Sequence, residues 1–186
     1  LTLVVQPIRV DWRFITAIDE DSGATIIDQL ALFPVALKTF QPIVERWLKI
    51  SPASIRLAFG AVLAMPVNDK QEGYRKLNSY LPKFEIDPEG SSDFLYQINR
   101  PRLSTTIPDL KINRLIKWSV ALQSFGQIVL GPKMQFAATG PESVSVRLEL
   151  DINTAAEFKG EFSSDRIFSL FQELVKLGEE ISMKGD

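Results

Sequence analysis

The 186-residue chain contains neither histidine nor cysteine. A serine-histidine-acid triad, a cysteine-histidine pair, imidazole metal ligation, thiol catalysis, zinc-thiolate sites and iron–sulfur clusters are therefore excluded, unless residues preceding Leu1 supply them. Three short patterns come near a ligand-binding motif. Gly126-Gln-Ile-Val-Leu-Gly131-Pro132-Lys133-Met134 resembles a phosphate-cradling loop, but Pro132 stands between the second glycine and the lysine, and Met134 has no hydroxyl for magnesium. It reads as a turn closing a strand. The acidic run Asp19-Glu20-Asp21 lacks the alternate-position spacing of a calcium loop and reads as a solvated turn. Asp151-x-Asn153 begins like such a loop, yet Ala155 occupies the next ligand position, so it reads as the end of a strand. Carboxylates are plentiful, but nothing in their spacing brings two to the separation that paired acid–base hydrolysis needs. No catalytic residue, metal site or cofactor site is predicted.

The strongest local asymmetry is the segment 94–118, which carries Arg100, Arg102, Lys111, Arg114 and Lys117 against Asp109 alone. Guanidinium groups bind phosphate in a two-pronged fashion and exposed aromatic rings stack on bases. Arg100, Arg102, Lys111 and Lys117 on one surface with Tyr96 would thus suit a nucleic-acid backbone. The competing reading is a charged row on a wet sheet face, with the lysines opposite Glu149 and Asp151 on neighbouring strands. Arg114 stands apart. Alternation places it among Ile112, Ile116 and Trp118, where a lone charge is costly. A buried structural ion pair or the anchor of a small anionic ligand would resolve that cost.

These residues are positioned by elements legible from periodicity. Residues 1–18 read as a hairpin split at Gln6-Pro7, its second strand alternating Ile8, Val10, Trp12 and Phe14 with Arg9, Asp11 and Arg13. After the turn at 19–23, Ile27, Leu30, Leu37, Val44 and Leu48 recur at helical spacing. Pro34 and Pro42 within that pattern predict a kinked helix or several shorter ones. Residues 55–65 predict a central strand packed closely at Gly60. A short helix over 70–81 and a loop over 87–93 follow, then an antiparallel pair over 94–106 and 111–130, joined across Ile107-Pro108-Asp109. Val144 to Ile152 alternates strictly, with one apolar and one polar side. Ser163-Ser164-Asp165 caps a closing amphipathic helix through Ile167, Leu170, Phe171, Leu174, Leu177 and Ile181. The predicted fold is a single α+β domain over 1–186: an antiparallel β-sheet with helices packed on one face and a C-terminal amphipathic helix.

Composition bounds the function further. Lys plus Arg number 21 against 23 Asp plus Glu, which gives no whole-protein attraction to a polyanion. The longest uncharged apolar run, 57–67, is well short of the ~20 residues of a membrane-spanning helix. Leu1 is not an initiator methionine, so N-terminal residues are expected to be missing. Without cysteine staples or a glycosylation sequon the expected compartment is the cytoplasm.

Four motifs, taken in order, are similar to those of a sporadically distributed bacterial family of uncharacterised proteins. They are Gln6-Pro-Ile-Arg-Val-Asp-Trp12, Gln97-Ile-Asn-Arg-Pro-Arg102, Asn113-Arg-Leu-Ile-Lys-Trp118 and Leu148-Glu-Leu-Asp-Ile152 with the helix after it. The resemblance implies a bacterial, cytoplasmic α+β protein and carries no activity, cofactor or catalytic residue with it. Three functional expectations result. The first is a non-catalytic interaction domain that self-associates or binds another protein through an open sheet edge or outer sheet face. The second is a nucleic-acid-binding module on the basic segment. The third is a small-molecule sensor with a pocket between the kinked helices and the sheet.

Overall fold

A computed structural model of the chain describes residues 1–15, 30–123, 126–129, 135–138 and 142–184. The elements run β1 (Thr2–Gln6), β2 (Arg9–Arg13), α1 (Phe33–Leu48), β3 (Ala58–Val67), α2 (Lys70–Tyr80), β4 (Leu95–Asn99), β5 (Arg102–Leu103), β6 (Lys111–Gln123), β7 (Gly126–Val129), β8 (Gln135–Ala138), β9 (Ser143–Thr154) and α3 (Ser164–Lys184). The expected antiparallel α+β architecture with a C-terminal amphipathic helix is present. The turn at 19–23, Ile27, and the loop Gly131-Pro132-Lys133-Met134 lie outside the described residues.

The main sheet has the order β3-β9-β6-β4, with β5 also paired to β6, and every pairing is antiparallel. Its organiser is β9. The even positions Val144, Val146, Leu148, Leu150 and Ile152 are all buried, and the register sets them beside β3 residues 59–67 and β6 residues 114–122. Because side chains alternate across a strand, this register collects the apolar sets of three strands on one face. Helices α2 and α3 lie on that face, and α1 packs on α3. Helix α3 commits Ile167, Leu170, Phe171, Leu174, Leu177 and Ile181 to the core.

Two glycines allow the helices to sit this close. A Cβ at Gly178 of α3 would approach Phe59 of β3 to 2.7 Å, and one at Gly73 of α2 would approach Val120 of β6 to 2.8 Å. Helix α2 begins with Asp69 accepting from the Glu72 backbone N–H at 2.7 Å. The Glu72 carboxylate in turn accepts from the Asn68 N–H at 2.8 Å, so two otherwise orphaned donors are satisfied reciprocally.

Two expectations are corrected. Of the two readings for α1, division into several shorter helices is the one corrected, since the helix is continuous from Phe33 to Leu48. Pro34 falls in the first turn, where its missing N–H is no loss. Pro42 removes one interior bond, a cost offset by seating Leu37, Val44 and Leu48 in the core. Strand β3 is an edge strand, not a central one. Its even positions Ala58, Gly60, Val62 and Pro66 are exposed, and Pro66, which has no N–H to donate, is suited to an edge.

One polar clamp ties α3 to the segment after β5. The carboxylate of Glu173 accepts from the Ser104 hydroxyl (2.6 Å), the Thr105 N–H (2.6 Å), the Thr105 hydroxyl (2.9 Å) and the Thr106 N–H (3.3 Å). Burial raises the pKa of Glu173, but the bonds from Ser104, Thr105 and Thr106 outweigh it and hold the group below its ordinary value. A carboxylate whose folded pKa is depressed contributes stability that is present above the ordinary glutamate pKa of about 4.3 and is lost as pH falls through the folded value. Glu173→Gln is expected to lower stability at neutral pH by about 1–2 kcal/mol and to flatten the loss of stability below pH ~4. Urea melts of both proteins at the two pH values check this, and equal midpoints at neutral pH would contradict it. Gly178→Leu, which drives a side chain into Phe59, is expected to cost about 1–3 kcal/mol in the same melts. An unchanged midpoint would mean that α3 is not seated on β3 as described.

Candidate interaction surfaces

Strand β6 separates the basic residues of segment 94–118 by parity. Its even positions Ile112, Ile116 and Trp118 are buried beneath the helices, and Arg114 lies on the same side. Lys111 and Lys117, at odd positions, project from the opposite face. There the Lys117 ammonium meets Glu149 at 3.0 Å, and Arg147 meets the same carboxylate at 3.5 Å. The expected pairing of Lys117 with Glu149 across neighbouring strands is therefore present. Tyr96 pairs with Trp118 in register and lies on the helix side, its ring 4.7 Å from that of Phe84. A strand of nucleic acid would need these cations and the aromatic ring along one surface. The fold divides them between two.

What the fold does assemble is an arginine cluster. The Arg100 backbone N–H donates to the Arg114 carbonyl at 3.2 Å, setting the two residues opposite one another. Arg102 pairs with Ile112, which turns its side chain to the helix side, where it reaches Glu180 of α3 at 3.5 Å. Burial lowers the pKa of Arg114, the positive charges of Arg102 and Arg100 press it in the same direction, and Glu180 opposes them. The Nε of Arg114 is buried and makes no hydrogen bond. Glu180 could not be read from the sequence of the basic segment, because it arrives from a helix some sixty residues further along. Its spacing from Glu173, two turns of α3, is the signal that both acids share one stripe.

The face of the sheet turned away from the helices carries a polar ladder that periodicity did not single out. Asn99 donates to Asn113 (3.0 Å), Asn113 to Asn153 (3.0 Å), and Asn153 to Asp151 (2.9 Å), linking β4, β6 and β9. Asn153 thus serves cross-strand bonding at the end of β9, and Asp151 accepts from Asn153 along the same strand. Among the described residues no group of acidic side chains is arranged to hold a metal ion. No helix among them is long and apolar enough to cross a membrane.

The hairpin β1–β2 stands outside the main sheet as a two-stranded sheet of its own. The pairs Leu3 with Trp12 and Val5 with Val10 define an apolar side. Trp12 reaches Trp47 of α1 with ring centroids 6.2 Å apart, and Phe14 stacks on Phe40 at the same distance. The rest of that side is open: Val5 is 69% exposed, and Ile8 at the turn is 98% exposed. Among the described residues neither strand pairs with a third. The polar side is charged on β2, where Asp11 bonds Arg9 at 2.5 Å and Arg13 at 3.2 Å, whereas β1 carries no charge.

An open cleft of about 1250 Å³ wraps the β3 edge, touching Phe33 and Phe40 of α1, Leu63 and Met65 of β3, Tyr80, and also Glu149 on the far face. It spans both sides of the sheet edge and forms no enclosed chamber of the kind that buries most of a small ligand.

Comparison of the chain with protein-family models, with curated proteins and with solved structures gives no match.

Proposed function

We propose that the chain is a non-catalytic protein-interaction domain that associates with a second copy of itself through strand β1. The observation that carries this reading is the hairpin: an apolar side left largely uncovered, together with an edge strand, Thr2–Gln6, that bears no charge and no proline. Folded proteins guard free edges with just those residues, as β2 does with Arg9, Asp11 and Arg13. An unguarded edge invites strand addition, in which backbone N–H and C=O groups pair across the new seam.

The sequence of β1 suits a two-fold partner. Antiparallel pairing centred on Val4 sets Thr2 opposite Gln6 and Leu3 opposite Val5, so polar meets polar, apolar meets apolar, and no like charges face each other. The resulting four-stranded sheet would join the apolar sides of both hairpins. A non-catalytic role agrees with a chain lacking histidine and cysteine. The resemblance to a bacterial family supports the cytoplasm as its setting.

Light scattering behind a sizing column tests the reading. The expected result is a mass near twice the 20.9 kDa of one chain. Val4→Lys sets two lysines opposite each other at the seam while facing Asp11 within its own hairpin, and is expected to give a monomer with an unchanged circular dichroism spectrum. Val35→Lys, at an exposed position of α1, is expected to leave the dimer intact. A monomeric parent chain, or a dimer that survives Val4→Lys, would overturn the proposal.

A further inference from the structure

We infer, resting on the seam proposed for β1, that the hairpin tip formed by Val5 and Ile8 docks on helix α1 of the second copy, beside Trp47. Helix α1 carries two adjacent apolar stripes. Leu37, Val44 and Leu48 are buried in the core, and Phe33, Phe40, Ile43 and Trp47 lie half-buried beside them at helical spacing. The hairpin runs along this second stripe, since Phe14 stacks on Phe40 and Trp12 meets Trp47. Two residues along β2 toward the turn thus advance two turns along α1. One further step of that kind passes the end of the helix at Leu48. The tip therefore overhangs, and exposure climbs from 36% at Val10 to 69% at Val5 and 98% at Ile8.

A second copy supplies the missing cover. Pairing centred on Val4 continues each row across four strands, so that Val10, Val5, the partner's Leu3 and the partner's Trp12 stand in one row on the apolar side. Val5 is then two strand spacings, about 10 Å, from the strand that holds the partner's Trp12. That strand rests on the partner's α1, which places Val5 against the flank of that helix near the partner's Trp47. Ile8, at the turn, reaches past Val5 toward the partner's Leu1. The two-fold makes the contact reciprocal, and each α1 covers the tip of the other hairpin. The area of a lasting interface requires such a contact. Two five-residue strands bury only a fraction of the roughly 1,200–2,000 Å² of a stable interface, and the tip holds the most exposed apolar side chains that the hairpin has to add. No charge opposes the docking: residues 3–8 carry none, and Lys49, just past the helix end, is held over the ring of Phe168.

Light scattering over a dilution series, read together with tryptophan emission, tests the docking. The chain has three tryptophans, of which Trp118 is buried within each copy. A shift of emission to shorter wavelength as the dimer forms is expected, from Trp12 and Trp47 as the partner's tip covers them. Ile8→Asp, at a position almost wholly exposed in a single copy, is expected to keep the melting temperature of the dilute monomer, to weaken association at least tenfold and to remove the emission shift at concentrations where the parent shows it. Val35→Lys is expected to associate and shift as the parent does. A monomeric parent would remove the seam and the docking together. A dimeric parent whose association and emission shift survive Ile8→Asp would remove the docking alone. Binding of the parent, but not of Ile8→Asp, to phosphatidylcholine vesicles would assign the tip to a lipid surface and overturn the inference.

Discussion

Helices α2 and α3 lie on one face of the main sheet, and that constraint governs most of what the molecule offers to its surroundings. Strand β9 alternates without a break, and its neighbours match its register, so the apolar side chains of β3, β9 and β6 gather on the side where α2 and α3 lie. Burying a leucine or isoleucine completely is worth about 1.5–3 kcal/mol, whereas an exposed ion pair contributes about 0–1 kcal/mol. The even positions therefore decide the fold, and the row of Lys117, Glu149 and Arg147 accommodates itself to the other face. The same constraint explains Arg114. It is a cation placed by parity on the side reserved for the core, and its surroundings are consequently unlike those of the lysines a few residues away.

The second governing feature is the stripe of acids on α3. Glu173 satisfies donors of three successive residues after β5, and two turns later Glu180 meets Arg102. One helix thus does two jobs: its apolar side closes the core, and its edge fixes the turn and charge beside the arginine cluster. The hairpin β1–β2 has no comparable tie. It is anchored to α1 by the rings of Trp12 and Phe14, while its remaining apolar side chains face outward. A two-stranded sheet is marginal by itself, which is the physical reason for looking to a partner strand.

How much of this was legible depends on whether the information was local. Strict alternation in β9 and the helical spacing of Ile167 through Ile181 state their structures outright, because period 2 and period 3.6 fix which face is buried. The position of β3 was not legible. A run of small and apolar residues fits a buried strand as well as an edge packed on one side, and only Pro66 hinted at the edge. The prolines of α1 do not split the helix, because Pro42 is outweighed by burial of residues on either side of it. In the basic segment, parity alone separated Arg114 from Lys117, and the sequence showed it. What the segment could not show were Glu180 and the Asn99–Asn113–Asn153 ladder, since both depend on which distant elements lie side by side.

Amide hydrogen exchange, followed at low and at high protein concentration, tests most directly whether β1 is the seam between two copies. If it is, slowing of exchange with concentration should be confined to residues 2–6, with the β3 edge and the outer face of the sheet unchanged. Exchange over residues 2–6 that is fast at every concentration, or slowing that appears along β3 instead, would contradict the account.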